Sequence, residues 1–222
     1  MRSFFVFALT CSLSASALAQ EGGRGVLPPE ATPPSMDDLD APTTEVEPPG
    51  GPAPAITPQD GDSASDLDRL FQELADAPDA RSAIPVVARI QRIWMTSGSA
   101  TVDLLMRRSA LAIKGQQLGL ALDLADMVVR FAPDYAEGYN RRATIHYLNG
   151  DFGAAIKDIE RVLALEPRHW GAMSGLGIIL RRLDREDEAL VTFQEVLRLN
   201  PHAQNARKAV EALDKKAEGQ GI

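Results

Sequence analysis

Three glycines fall close together, Gly171, Gly175 and Gly177, in the stretch WGAMSGLGIIL. Glycine at that density does one of two things: it opens a loop whose N–H groups cradle a phosphate, or it strips a helix face so that another helix can approach. The phosphate arrangement needs a strand directly before the glycines. The preceding LALEPRHW carries no strand pattern, and Gly171 and Gly175 stand four apart, on one face of a helix. Packing is therefore the expected role. His146, His169 and His202 stand at intervals of 23 and 33 (169 − 146 = 23; 202 − 169 = 33), far from zinc-ligand spacing. The last two closely follow prolines and read as turn or packing residues. No G-x-S-x-G occurs, and Ser97, Gly98 and Ser99 read instead as the start of a helix near Thr101. The run Asp184, Arg185, Glu186, Asp187, Glu188 has mixed signs and reads as a solvated helix start. No catalytic group, cofactor or metal site is expected, and the chain reads as a non-enzyme.

The elements that carry these residues recur. Pro133, Pro167 and Pro201 are evenly spaced (167 − 133 = 201 − 167 = 34), and a fixed period of this size signals stacked supersecondary units. Aligned on the prolines, the units run 102–135, 136–169 and 170–203. Small residues recur at the eighth position (Ser109, Ala143, Gly177), alanine at the twentieth (Ala121, Ala155, Ala189) and valine at the twenty-seventh (Val128, Val162, Val196). Large residues fill the fourth (Leu105, Tyr139, Met173), and KGQQLG, LNGDFG and LDREDE fall at the turns. Each unit reads as helix, turn, helix, with the proline ending the second helix. Gly177 thus aligns with Ala143 and Ser109 as a helix-contact residue.

This pattern resembles the tetratricopeptide repeat (TPR), over residues 102–203. The resemblance implies an all-α fold: an α-solenoid of helix-turn-helix units in which small residues at positions eight, twenty and twenty-seven let paired helices approach. Arg142 stands where the family usually has leucine, and valine replaces the usual alanine at position twenty-seven, which implies looser or shifted packing there. In the family, positions 2, 5, 6, 9, 12 and 13 of each first helix line a concave groove for peptides. Carried over by position, the lining includes Arg107 and Lys114 in the first unit, Asn140, Arg141 and Tyr147 in the second, and Arg181 and Arg182 in the third. Five cations (Arg107, Lys114, Arg141, Arg181, Arg182) face two acids (Asp103, Glu137) in that set. Arg107 and Arg141 are equivalent (141 − 107 = 34), as are Lys114 and Arg182 (182 − 114 = 68), which implies two cationic rows with Tyr147 as an apolar anchor between them. The family's carboxylate-clamp pattern is not reproduced in full.

Flanking segments complete the organisation. Residues 204–222 carry Ala206, Val210 and Leu213 on one face with charge elsewhere, as a terminal capping helix requires. Residues 67–101 are helical in pattern and fit a degenerate further repeat, because Trp94 lies one period before Val128 (128 − 94 = 34) and Ser99 stands in place of the proline. Residues 20–66 hold ten of the 15 prolines, and their ten acids against Arg24 give −9, where the whole chain carries −8; residues 67 onward sum to zero (21 acids, 21 bases). Such a segment is expected to be a disordered, extended arm. A charge-neutral folded part leaves no footprint for nucleic acid. Residues 1–19 show one arginine, an apolar stretch and Ala17-Leu18-Ala19, the order of a secretory signal peptide too short to span a membrane. Cys11, the only cysteine, lies inside it.

The expected protein is exported to the periplasm, spans no membrane, and binds another protein or peptide, an acidic or C-terminal segment, as a scaffold or assembly factor of the cell envelope. Two alternatives stand beside this: a structural spacer without a groove ligand, and a hydrolase or carrier with a site between repeats. The acidic arm is itself a linker, a ligand or an autoinhibitor.

Overall fold

The computed structural model describes residues 63–220, which fall within one compact unit. The expected signal peptide and nearly all of the acidic arm lie outside the described residues. Nine α-helices and no strand occur among the described residues: α1 (Ser63–Ala75), α2 (Ala80–Met95), α3 (Ala100–Lys114), α4 (Leu118–Phe131), α5 (Ala136–Leu148), α6 (Phe152–Leu165), α7 (Trp170–Arg182), α8 (Glu186–Leu199) and α9 (Gln204–Gln220). Helix α1 starts at Ser63, so residues 63–66, read from sequence as the end of the arm, are helical; Asp66 there pairs with Arg69 at 2.7 Å, an acid in the first turn where the helix dipole favours it.

Each repeat unit is one helix pair, α3–α4, α5–α6 and α7–α8. Small residues permit the close approach within each pair. Ala121, Ala155 and Ala189 at position twenty and Val128, Val162 and Val196 at position twenty-seven are all 0 % exposed. In the first unit Ser109 Oγ satisfies itself by donating to Ala121 O at 3.1 Å. In the third, a Cβ placed on Gly177 would fall 2.7 Å from the Phe193 ring, so the α7–α8 contact depends on its absence.

Between the paired helices, position fifteen takes a positive φ in every unit: Gln116 (56°), Gly150 (77°) and Asp184 (55°). The interval is again the period of the prolines (150 − 116 = 184 − 150 = 34), so the left-handed residue belongs to the repeat. In the same turn as Gly150, Asp151 Oδ1 accepts from Ala154 N–H and caps α6; at the opposite edge His169 Nδ1 accepts from Ala172 N–H and caps α7, each at 3.0 Å.

Adjacent units meet through positions three and ten. A Cβ on Gly138 would stand 2.7 Å from Val128 Cγ1; Ile145 of α5 and Ile179 of α7 are 0 % and 1 % exposed. Arg142 also serves this seam. Its Nη1 donates to Asp126 of α4 at 2.8 Å, while Nε and Nη2 donate to the buried Asp158 of α6 at 2.8 and 2.7 Å. The guanidinium thus fills the usual leucine position by joining two units.

The hairpin α1–α2 does not extend this stack. Helix α2 packs on α1 and touches α5, with no extended packing along α3. Size accounts for this. Trp94 and Leu104 occupy the positions at which Val128 meets Gly138 one unit later (128 − 94 = 138 − 104 = 34), and a slot sized for valine on glycine does not close on tryptophan and leucine. The hairpin instead lies along the inter-repeat turns. Tyr135 Oη donates to Met95 O at 2.9 Å at the first turn. Arg168 pairs with Asp68 at 2.6 Å and lies 4.4 Å from the Phe71 ring at the second. His202 Nε2 lies 3.0 Å from Ala77 O at the third. Leu70, Leu74, Ile90 and Trp94 form one core with Trp170, Phe193 and Val196.

Candidate functional site

The inner face of α3, α5 and α7, closed on one side by the end of α2, encloses a cavity of about 680 Å³. One face of each first helix supplies the floor, because residues three and four apart share a helix face. Asp103, Met106 and Arg107 come from α3, Glu137, Asn140, Arg141 and Tyr147 from α5, and Ser174 and Ile178 from α7, with Trp94 and Met95 reaching it from α2.

The polar groups form an ordered set. His169 is 2 % exposed. Because its Nδ1 accepts from Ala172 N, the proton sits on Nε2, which faces Glu137 Oε1 at 3.2 Å. Asn140 Nδ2 donates to the other Glu137 oxygen at 2.9 Å. Burial alone would raise the Glu137 carboxyl, but the hydrogen bond and attraction of His169, the Asn140 amide and the nearby Arg141 charge together hold it below its ordinary range. Asp103 receives the Ser97 hydroxyl at 2.5 Å. Both acids of the cavity are therefore supplied with donors from within the chain. The cations are not. Among the described residues, no side chain accepts from Arg107 or Arg141, and Arg141 Nε and Trp94 Nε1 are buried without a hydrogen-bond partner.

Of the seven groove residues expected from sequence, the cavity gathers Arg107, Asn140, Arg141 and Tyr147; Lys114, Arg181 and Arg182 lie outside its lining. Those three sit exposed at the C-terminal ends of α3 and α7. Two arginines against Asp103 and Glu137 replace the expected excess of five cations over two acids. Tyr147, expected as an anchor, is 2 % exposed and packs on Phe152 at 5.8 Å, so it is chiefly a core residue whose edge reaches the cavity. Sequence reasoning missed Trp94 and His169, which stack at 4.4 Å with 17° between their planes. The one available signal was the misfit of a tryptophan at a position that is valine in the other units. Among the described residues, no cluster of His, Cys, Asp or Glu fits a metal ion, and no helix is long and apolar enough to cross a membrane.

Comparison with known proteins bears on the repeats. A tetratricopeptide-repeat family model matches residues 140–204. A TPR repeat-containing protein of Rhizobium etli is 37 % identical over 153 residues, covering 69 % of this chain and 75 % of that protein. Tetratricopeptide repeat protein 36 of Bos taurus is 32 % identical over 96 residues, 41 % of this chain and 51 % of its own length. Among solved structures, the first TPR of Spaghetti (RPAP3) bound to HSP90 peptide SRMEEVD superposes with a TM-score of 0.51 at 20 % identity, over 54 % of this chain and 95 % of that one. The Sgt2 TPR domain of Aspergillus fumigatus gives 0.51 at 19 % identity, over 56 % and 83 %. With the repeated helix pairs, the alanine and valine contacts and the shared length of the Rhizobium relative, the chain belongs to the tetratricopeptide-repeat family.

Proposed function

We propose that the chain is a protein-interaction module that takes an acidic or C-terminal peptide segment into the cavity on α3, α5 and α7, with Arg107 and Arg141 as its central contacts. One observation carries this reading: the acids of the cavity are already hydrogen-bonded while its arginines are not, so the unused capacity is for an acceptor. A carboxylate supplies acceptors in the fork geometry that guanidinium matches. The fold shared with the RPAP3 domain, whose peptide ends in Glu-Glu-Val-Asp, is in keeping with a peptide of this chemistry. In this reading the chain works outside the cytoplasm. Ala17-Leu18-Ala19 after a short apolar stretch supports cleavage after Ala19 and export, with a scaffold or assembly role in the periplasm of a two-membrane bacterium.

The test uses labelled hexaglutamate with a free C-terminus, read by fluorescence anisotropy against the full chain. Reversing both charges, Arg107→Glu with Arg141→Glu, is expected to weaken binding by about 2 kcal/mol, roughly thirtyfold, with helical circular dichroism unchanged. Equal binding by wild type and the double variant would remove the cavity from the reading. C-terminal amidation of the probe separates recognition of a chain end from recognition of acidic side chains.

A further inference from the structure

Trp94 bears on control of the same cavity, and its role is inferred on the groove reading above. It belongs to α2, outside the three repeats, yet it lies over His169 at 4.4 Å and against Trp170 at 4.5 Å, and all three line the cavity. The third-repeat end of the groove is thus already filled by an aromatic side chain of the protein's own hairpin.

Four features bear on how firmly it is filled. The hairpin is not built into the stack, since Trp94 and Leu104 stand where valine on glycine joins the first unit to the second. Its connection to α3 is residues 96–99, in which Gly98 takes φ of +73° with nothing within 4 Å of a Cβ placed on it, a backbone setting open to rotation that glycine tolerates without strain. Docking also leaves Trp94 Nε1 buried with no acceptor, a desolvation cost that ends when the indole returns to water. The ion pair that fastens the hairpin to the second turn, Asp68–Arg168, has its aspartate 70 % exposed, so it adds little.

We propose that the α1–α2 hairpin is a tethered competitor of the partner: Trp94 occupies the third-repeat end of the groove in the free protein, and binding of a partner segment displaces the hairpin by rotation about residues 96–99. A partner's measured affinity is then its intrinsic affinity reduced by the fraction of molecules with the hairpin undocked.

Two measurements decide it. The first needs no ligand. In native-state hydrogen exchange of the full chain, amides of α1 and α2 are expected to exchange at least about tenfold faster than those of α5 and α7, through an opening that leaves the repeats folded; exchange of all four helices at one common rate would overturn the proposal. The second uses the hexaglutamate probe. Trp94→Ala is expected to tighten its binding about tenfold, and binding that is unchanged or weaker would overturn the proposal by making Trp94 a bystander or a wall of the site. Trp94 and Trp170 are the chain's two tryptophans, so loss of their coupled near-ultraviolet circular dichroism on addition of probe reports undocking directly. Failure of the groove reading looks different: the probe binds neither protein, while hydrogen exchange still shows whether the hairpin opens apart from the repeats.

Discussion

At the scale of single residues, Arg142 shows how a departure from a family pattern is absorbed. A leucine there would pack; arginine instead carries three donors to Asp126 and Asp158, the latter with a side chain only 8 % exposed. Asp158 holds the guanidinium's pKa above its already high ordinary value, with Asp126 adding to the effect against the cost of burial. The expectation of looser packing at this position is thus met by an ionic junction. Removing one partner of a buried pair leaves the other charge stranded. Arg142→Ala is expected to destabilise by about 3 kcal/mol, and Arg142→Leu combined with Asp158→Leu to recover most of that loss. Urea denaturation of the two variants checks both figures. If the single substitution were nearly neutral, Asp158 would be reaching water or another donor.

At the scale of elements, the turn inside each helix pair is the most regular feature and the least obvious in sequence. Gln116, Gly150 and Asp184 share a left-handed conformation, which costs an ordinary side chain about 1 kcal/mol and glycine nothing comparable. Gln116→Gly is expected to raise stability by about 0.5–1 kcal/mol and Asp184→Gly by less, since aspartate tolerates this region better; Gly150→Ala should lower it. Thermal melts of the three variants test the order. The helix pairs themselves were legible because proline, alanine and valine recur in fixed places, and each marks a local constraint: a stop, a close approach, a filled slot. The floor of the cavity was legible for the same reason, through Arg107, Asn140 and Arg141. What sequence did not reveal was the berth of α2. Its periodicity is that of any amphipathic helix, and only the mutual sizes of Trp94, Leu104, Val128 and Gly138 decide whether it stacks. Those are pairwise facts between positions on different helices, invisible to a single-residue pattern. Lys114, Arg181 and Arg182 matched by register yet fall outside the cavity, because its closed end is set by that same berth.

At the scale of the whole molecule, the hairpin alters what kind of object the array is. Repeat proteins ordinarily hold together through nearest neighbours, so their units can melt singly. Here Asp68 reaches Arg168 and Ala77 reaches His202, across 100 and 125 residues of sequence. Because the hairpin opens before the repeats, urea is expected to change tryptophan fluorescence, which Trp94 and Trp170 both report, before the far-ultraviolet circular dichroism of the described helices. Deleting residues 1–99 should abolish that early change and lower the urea midpoint of the helical signal; an unchanged midpoint would show that the repeats hold together without the hairpin. The same long span has a consequence for ancestry. A solenoid gains or loses members by duplication in frame, and one more unit normally costs it nothing. In this chain the strap meets the first, second and third turns in succession, and a duplicate inserted anywhere between them would carry the later turns out of its reach. The hairpin counts: it fixes the census of repeats at three.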